Sequence, residues 1–185
     1  MAGDELFSVG APLGFGAARD CRFVGRSFDD TLREHGPALW RVIASYAPPG
    51  PERDDLAQDV LLAVWQALER FRGQSSVKSF VLRIAHNRGL THAWTRAKRP
   101  RSEDVEVPDP GPAPDEQAAA NERSEHFLRH LRALRLGQRQ VIALALEGLT
   151  HAEIATIVGI TPENVAVRLG RAREALRLSM EKEAA

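Results

Sequence analysis

Residues 149–176 read Leu-Thr-His-Ala-Glu-Ile-Ala-Thr-Ile-Val-Gly-Ile-Thr-Pro-Glu-Asn-Val-Ala-Val-Arg-Leu-Gly-Arg-Ala-Arg-Glu-Ala-Leu, and they spell a helix, a tight turn and a second, basic helix. Thr150 is a good N-cap, and Glu153 three residues later completes a capping box. Ile154, Ala155 and Val158 give the first helix a short apolar face, and Gly159 can adopt the positive φ that stops it. Thr161 caps the second helix, with Pro162 at its first position, where no N–H is needed. Val165, Leu169, Ala172 and Leu176 recur at helical spacing and bury one face, while Arg168, Arg171 and Arg173 lie off that stripe. A basic helix held at an angle by a glycine turn is how a helix-turn-helix presents side chains to the DNA major groove. A plain helical hairpin in an all-α core has the same spacing, so the rest of the chain decides.

The chain has 185 residues, enough for one domain or two small ones. Its formal net charge is zero, which argues against nucleic acid until the charges are mapped. Residues 27–101 carry 12 basic and 8 acidic side chains, residues 102–131 carry 2 and 8, and residues 132–185 carry 8 and 6. Within the first block, residues 70–101 hold nine Lys or Arg and no acid. A polyanion responds to that local field, not to the sum. Cys21, the one cysteine, excludes an internal disulfide and fits a reducing cytoplasm. Residues 1–26 lack a basic start and a long apolar run, which reads as a flexible tail and not a signal peptide. No stretch approaches the length of a membrane span.

Upstream, Ser27 and Asp30 open a helical pattern through Tyr46, which Pro37 is expected to kink or split. Pro48-Pro49-Gly50-Pro51 is a break. A second helix is expected over Glu52–Phe71, with Leu56, Val60, Leu61, Val64, Trp65 and Leu68 as a broad apolar face and Asp54, Asp55, Gln58 and Asp59 toward its start. A third is expected over Val77–Ala97. Residues 100–116 contain five prolines and four acids up to Asp109, the composition of an extended linker. Helices resume near Asp115–Leu136 and Gln138–Glu147, before the helix-turn-helix. No strand pattern is convincing. The fold class is therefore all-α: a tail (1–26), a helical domain (27–99), a Pro-rich acidic linker (100–116), a helix-turn-helix domain (117–180) and a short tail (181–185).

The acid-free stretch carries Phe71, Phe80 and Trp94 among its cations. Unpaired bases stack on aromatic faces while Lys and Arg neutralise phosphates, so this surface suits melted DNA. A solvated helix face is the alternative, although such faces usually mix signs at i,i+4. Asp54, Asp55 and Asp59 have no neighbouring His, Cys or phosphate-binding loop, which leaves docking to a basic partner or a dipole-matched helix start ahead of catalysis. His126 and His130 stand at i,i+4, a spacing that can hold zinc, but no Cys, third His or well-placed carboxylate is evident, so they read as a surface pair with no metal and no cofactor. His86, His92 and His151 sit near basic residues, where DNA contact and solvation are both open.

The runs from Asp54 to Trp65 and from Ser76 to Arg88 resemble the second-region signatures of extracytoplasmic-function RNA polymerase sigma factors. Gln138–Val141, Glu147–Thr150, Glu153-Ile154-Ala155, Val165, Arg168-Leu169 and Arg171-Ala172-Arg173 resemble the family's fourth region. The likeness covers about residues 28–98 and 120–178, in order, around a linker. It implies a non-enzymatic cytoplasmic protein that binds core RNA polymerase through Asp54, Asp55, Gln58 and Asp59. It implies −10 promoter contacts from Arg72, Lys78, Phe80, Arg83, Asn87 and Arg88, and −35 contacts from Glu163, Asn164, Val167, Arg168 and Arg171. An anti-sigma factor is a further implied partner. Phe80 stands where the family commonly has Trp, Leu61 where it has Phe, Ala166-Val167 where it has Lys-Ser, and Gly170 where it has His. A stand-alone helix-turn-helix regulator explains residues 138–178 equally well, but not an acid-free, aromatic-laced helix after an acidic one. A nucleic-acid enzyme lacks a titratable cluster to act with.

Overall fold

A computed structural model describes residues 27–98 and 116–184. The expected N-terminal tail with Cys21 and nearly all of the Pro-rich linker lie outside the described residues. Those residues form α1 (Phe28–Ala44), α2 (Pro51–Leu68), α3 (Val77–Lys98), α4 (Glu116–Ala133), α5 (Leu136–Leu146), α6 (His151–Val158) and α7 (Pro162–Ala184), with no strand among them.

Local chemistry sets most boundaries. The Ser27 hydroxyl accepts from the Asp30 N–H at the start of α1. Pro51 occupies the first turn of α2, and Gly50 before it takes φ 109°. Ser76 caps α3 by accepting from the Ser79 N–H at 3.0 Å. Thr150 and Glu153 form the expected reciprocal box, Gly159 ends α6 at φ 75°, and Thr161 accepts from the Asn164 N–H. Two expectations are corrected. Pro37 does not split α1, because Thr31, His35, Leu39 and Val42 bury one continuous face across it. Residues 181–184 are not a tail: α7 runs through Ala184, held by Arg177 between Glu174 and Glu181.

α1, α2 and α3 pack around Leu39, Val42, Ile43, Val60, Val64, Val81, Leu82 and Ala85. α4 to α7 pack around Leu131, Val141, Leu144, Ile154, Val165, Leu169 and Ala172. The two cores are continuous, with α1 against α5 and α3 against α6. The seam between them is polar. Arg41 forks onto Glu147, Arg53 and Arg132 share Glu125, and the Ser79 hydroxyl donates to Glu153 at 2.5 Å. The carbonyls ending α1, where the helix dipole is negative, receive three arginines. Arg132 donates to Ala44 O, Arg139 to Ser45 O and Arg53 to Ala47 O.

Candidate nucleic-acid and polymerase interfaces

On α2, Arg53, Leu56, Ala57, Val60 and Val64 turn inward, which leaves Asp54, Asp55, Gln58 and Asp59 exposed. Asp54 and Gln58 line a shallow groove with Phe28, Ala57, Leu61, Leu62 and Trp65. Leu62 and Trp65 are each half exposed there. Trp65 belongs to the broad apolar face expected from the sequence, but that face is only partly covered. Apolar residues at 61, 62, 64 and 65 span more of the helix than α1 and α3 can cover, so Trp65 is left on an apolar face edged with acids. Large exposed aromatics of this kind mark contact sites.

α3 presents a second surface. Phe80, Arg83, Asn87, Thr91 and Trp94 recur every three or four residues along one side. Phe80 is half-buried and packs against Phe71, the rings tilted by 43° with centroids 4.5 Å apart, and the Arg83 guanidinium lies 5.7 Å over its ring. Trp94 is 56% exposed at the far end. Aromatic faces flanked by cations are what separated bases and their phosphates need. Arg72 is exposed in the preceding loop. Two residues lie off this ridge. Arg88 pairs with Asp59 of α2 at 3.4 Å. Lys78 faces the other half of the molecule, where its Nζ approaches Gly148 and its charge acts on Glu153.

His86 is buried, 2.9 Å from the Tyr46 hydroxyl, and burial pushes its pKa down to about 4. It is a neutral core residue, neither a DNA contact nor a solvated one. His92 and Arg96 both face Glu52 at the head of α2, 3.4 and 3.0 Å away.

α7 carries the third surface. Val165, Leu169, Ala172 and Leu176 are buried as their spacing predicts. Glu163, Asn164, Val167 and Arg171 share the opposite, exposed side. Arg168 sits at its flank, partly buried beside Gly137 in the first turn of α5. The three surfaces lie on different helices, and the structure keeps them separate.

Residues 31–99 match the sigma-70 region 2 family and residues 125–176 match sigma-70 region 4. The chain is 30% identical over 164 residues to the RNA polymerase sigma factor CnrH of Cupriavidus metallidurans, covering 82% of this chain and 85% of that one. This chain belongs to the RNA polymerase sigma factors, of the extracytoplasmic-function type. It is 29% identical over 147 residues to the ECF RNA polymerase sigma-E factor of Escherichia coli K12, covering 73% of this chain and 76% of the relative. Among solved structures, CnrH in complex with the cytosolic domain of CnrY matches with a TM-score of 0.62 at 27% identity, covering 84% of this chain and 88% of that one. RpoE of Bartonella quintana, solved with the anti-sigma factor NepR, shares the fold with a TM-score of 0.64 at 22% identity, covering 83% and 96%. As a sigma factor, the chain serves transcription initiation. No described helix is long and apolar enough to cross a membrane.

Proposed function

We propose that this sigma factor divides its work among the three surfaces. The exposed face of α2, with Asp54, Asp55, Gln58 and Asp59 around Leu62 and Trp65, docks on core RNA polymerase. The α3 ridge, with Arg72 before it and Lys78 and Arg88 beside it, holds the melted −10 strand through Phe80, Arg83 and Asn87. The outer face of α7 enters duplex at −35, where Glu163, Asn164 and Val167 meet base edges and Arg168 and Arg171 hold phosphates. The working units are residues 27–99 and 117–180, with 100–116 as the connector between them. The protein acts by binding, in the cytoplasm, with no catalytic step of its own. An anti-sigma factor is a further proposed partner; the solved pairing of the related CnrH with the cytosolic domain of CnrY supports it.

The observation that carries this reading is the α3 ridge. A duplex-binding regulator needs α7 alone and has no use for paired aromatic rings flanked by cations on a separate helix upstream. The test is run-off transcription with purified core polymerase. Promoter-dependent product should require this chain, and its absence with or without the chain defeats the reading. A stand-alone regulator would instead bind duplex tightly without polymerase and would not co-purify with it.

A further inference from the structure

The sequence left His126 and His130 without a third ligand, and the fold supplies one. α7 runs past its expected end and brings Glu183 against both rings. His126 Nε2 lies 3.0 Å from Glu183 Oε1, and His130 Nε2 lies 2.7 Å from Oε2. One ligand atom from each of the three residues falls within 4.8 Å of the other two. Around a tetrahedral zinc with bonds near 2.0–2.2 Å, ligand atoms stand roughly 3.3–3.6 Å apart, so small side-chain adjustments suffice.

The second observation is the state of His130. Its ring is nine-tenths buried, and its Nδ1 lies 2.8 Å from the Ser179 hydroxyl, which fixes the ring with Nε2 beside Glu183. Although Nε2 is close to the carboxylate, it is buried without a hydrogen bond, because the two groups are out of line. Buried polar atoms are rarely left so. A ring nitrogen that touches a carboxylate without hydrogen-bonding to it, with the other nitrogen held by a hydroxyl, matches the way a metal-bound histidine is oriented. His126 stands one turn away, its ring edge-on with centroids 4.9 Å apart.

We propose that His126, His130 and Glu183 form a binding site for a first-row divalent metal ion, zinc foremost, that pins the end of α7 to α4. Two imidazole nitrogens and one carboxylate oxygen suit zinc and its neighbours and disfavour calcium and magnesium. Three protein ligands leave the fourth position to water. Glu125, which holds Arg53 across the seam and Arg132 on its own helix, directly precedes His126. An ion at this site therefore stiffens the helix that joins the two halves. The site is independent of the promoter-binding assignments.

The test uses the full chain, untagged and stripped of metal. Zinc is titrated against a chromogenic chelator, cobalt(II) is added as a spectroscopic probe, and thermal unfolding is followed with and without zinc. One equivalent of zinc, a higher Tm and a cobalt spectrum of low coordination number are expected. His126→Ala and Glu183→Gln, at accessible positions, should keep the helical circular dichroism and bind at least about tenfold more weakly, as loss of even an outer-shell partner does. Stoichiometric uptake unchanged in both variants would place the ion elsewhere and overturn the proposal, as would no uptake by the wild type.

Discussion

Arg41 and Glu147, 106 residues apart in the chain, form a two-pronged ion pair: Nε donates to Oε1 at 2.8 Å and Nη2 to Oε2 at 2.7 Å. Glu147 is almost fully buried and Arg41 is more than half exposed. The pair spans the seam, as does Arg53–Glu125, in which Arg53 is 8% exposed. Charge-assisted hydrogen bonds of this geometry contribute roughly 1.5–3 kcal/mol each. Glu147→Ala combined with Glu125→Ala should loosen the two halves while each keeps its helices. Labels placed on α2 and α7 should report a longer mean distance, with far-ultraviolet circular dichroism nearly unchanged. An unchanged distance in the double variant would show that apolar packing alone holds the halves together.

Two helical glycines should respond in opposite ways to the same substitution. A Cβ at Gly170 meets nothing, so Gly170→Ala should stabilise α7 by about 1 kcal/mol through helix propensity. A Cβ at Gly89 would stand 2.5 Å from Cγ and 2.9 Å from Cε2 of the buried Tyr46 ring. Gly89→Ala should therefore cost about 1–3 kcal/mol, because overpacking outweighs the propensity gain. Urea midpoints of the two variants decide it. Equal shifts of the same sign would refute the close approach of α3 to Tyr46.

His86 makes stability pH-dependent. Burial lowers its pKa from 6.5 to about 4 in the folded state. Between those values the unfolded chain binds a proton there that the folded chain does not. Stability should thus be full above pH 6.5, fall as pH drops toward 4, and lose at most about 1.4 kcal/mol per pH unit from this group. Glu153 adds a loss at lower pH. Burial pushes its pKa up, but hydrogen bonds from Ser79 and Thr150 outweigh this and set it below its usual 4.5. Its contribution is therefore present above pH 4.5 and disappears as pH falls further. A flat stability profile from pH 7 to 5, or the same slope in His86→Gln, would contradict the buried neutral ring.

Much of the helix pattern was legible because it is written in local chemistry. The Thr150–Glu153 box, Gly159, Pro162 and the break at 48–51 act within one turn of themselves. What failed to show depended on distant partners. A histidine between Arg83 and Arg88 reads as a DNA contact or a solvated group until Tyr46, 40 residues away, is seen to bury and bond it. The exposure of Trp65 is not readable, because a broad apolar face does not say how much of it neighbouring helices cover. Glu183 reads as part of a frayed end until α4 is placed beside it. At the candidate sites, the resemblance named 80, 83 and 87 and 163, 164, 167 and 171, and the helices place each set along one face. The side turned by Lys78 and the burial of Arg168 needed the second half of the molecule.

Separate surfaces imply separable losses. Trp65→Ala removes a half-exposed ring from the α2 face, so it should weaken polymerase binding by about 2 kcal/mol, as anchor aromatics do, with little change in Tm. Phe80→Leu should keep polymerase binding and lose strand capture, since base–aromatic stacking contributes roughly 1–3 kcal/mol. Competition binding to core enzyme and permanganate reactivity of the −10 thymines separate the two. If both variants lose both activities in the same proportion, the division between α2 and α3 is wrong.

With α7 placed in the groove as proposed, the position of a residue along the helix decides what it reads. The first turns of a recognition helix reach the base edges, and later turns run past the backbone. Asn164, at the third helical position, should read a base. Asn164→Ala should relax preference at one base pair of the −35 element and leave binding to unrelated duplex unchanged. Arg171, two turns on and exposed, should clamp a phosphate. Arg171→Ala should weaken binding to all duplexes alike and reduce the slope of log affinity against log salt by about 1. Arg168 rests beside Gly137 at the start of α5, so Arg168→Ala should lower Tm more than Arg171→Ala and change the salt slope less. Fluorescence anisotropy over a salt series, with matched and scrambled −35 duplexes, measures all three. Sequence-selective loss in Arg171→Ala with an unchanged slope would move base reading down the helix and overturn this placement of α7 in the groove.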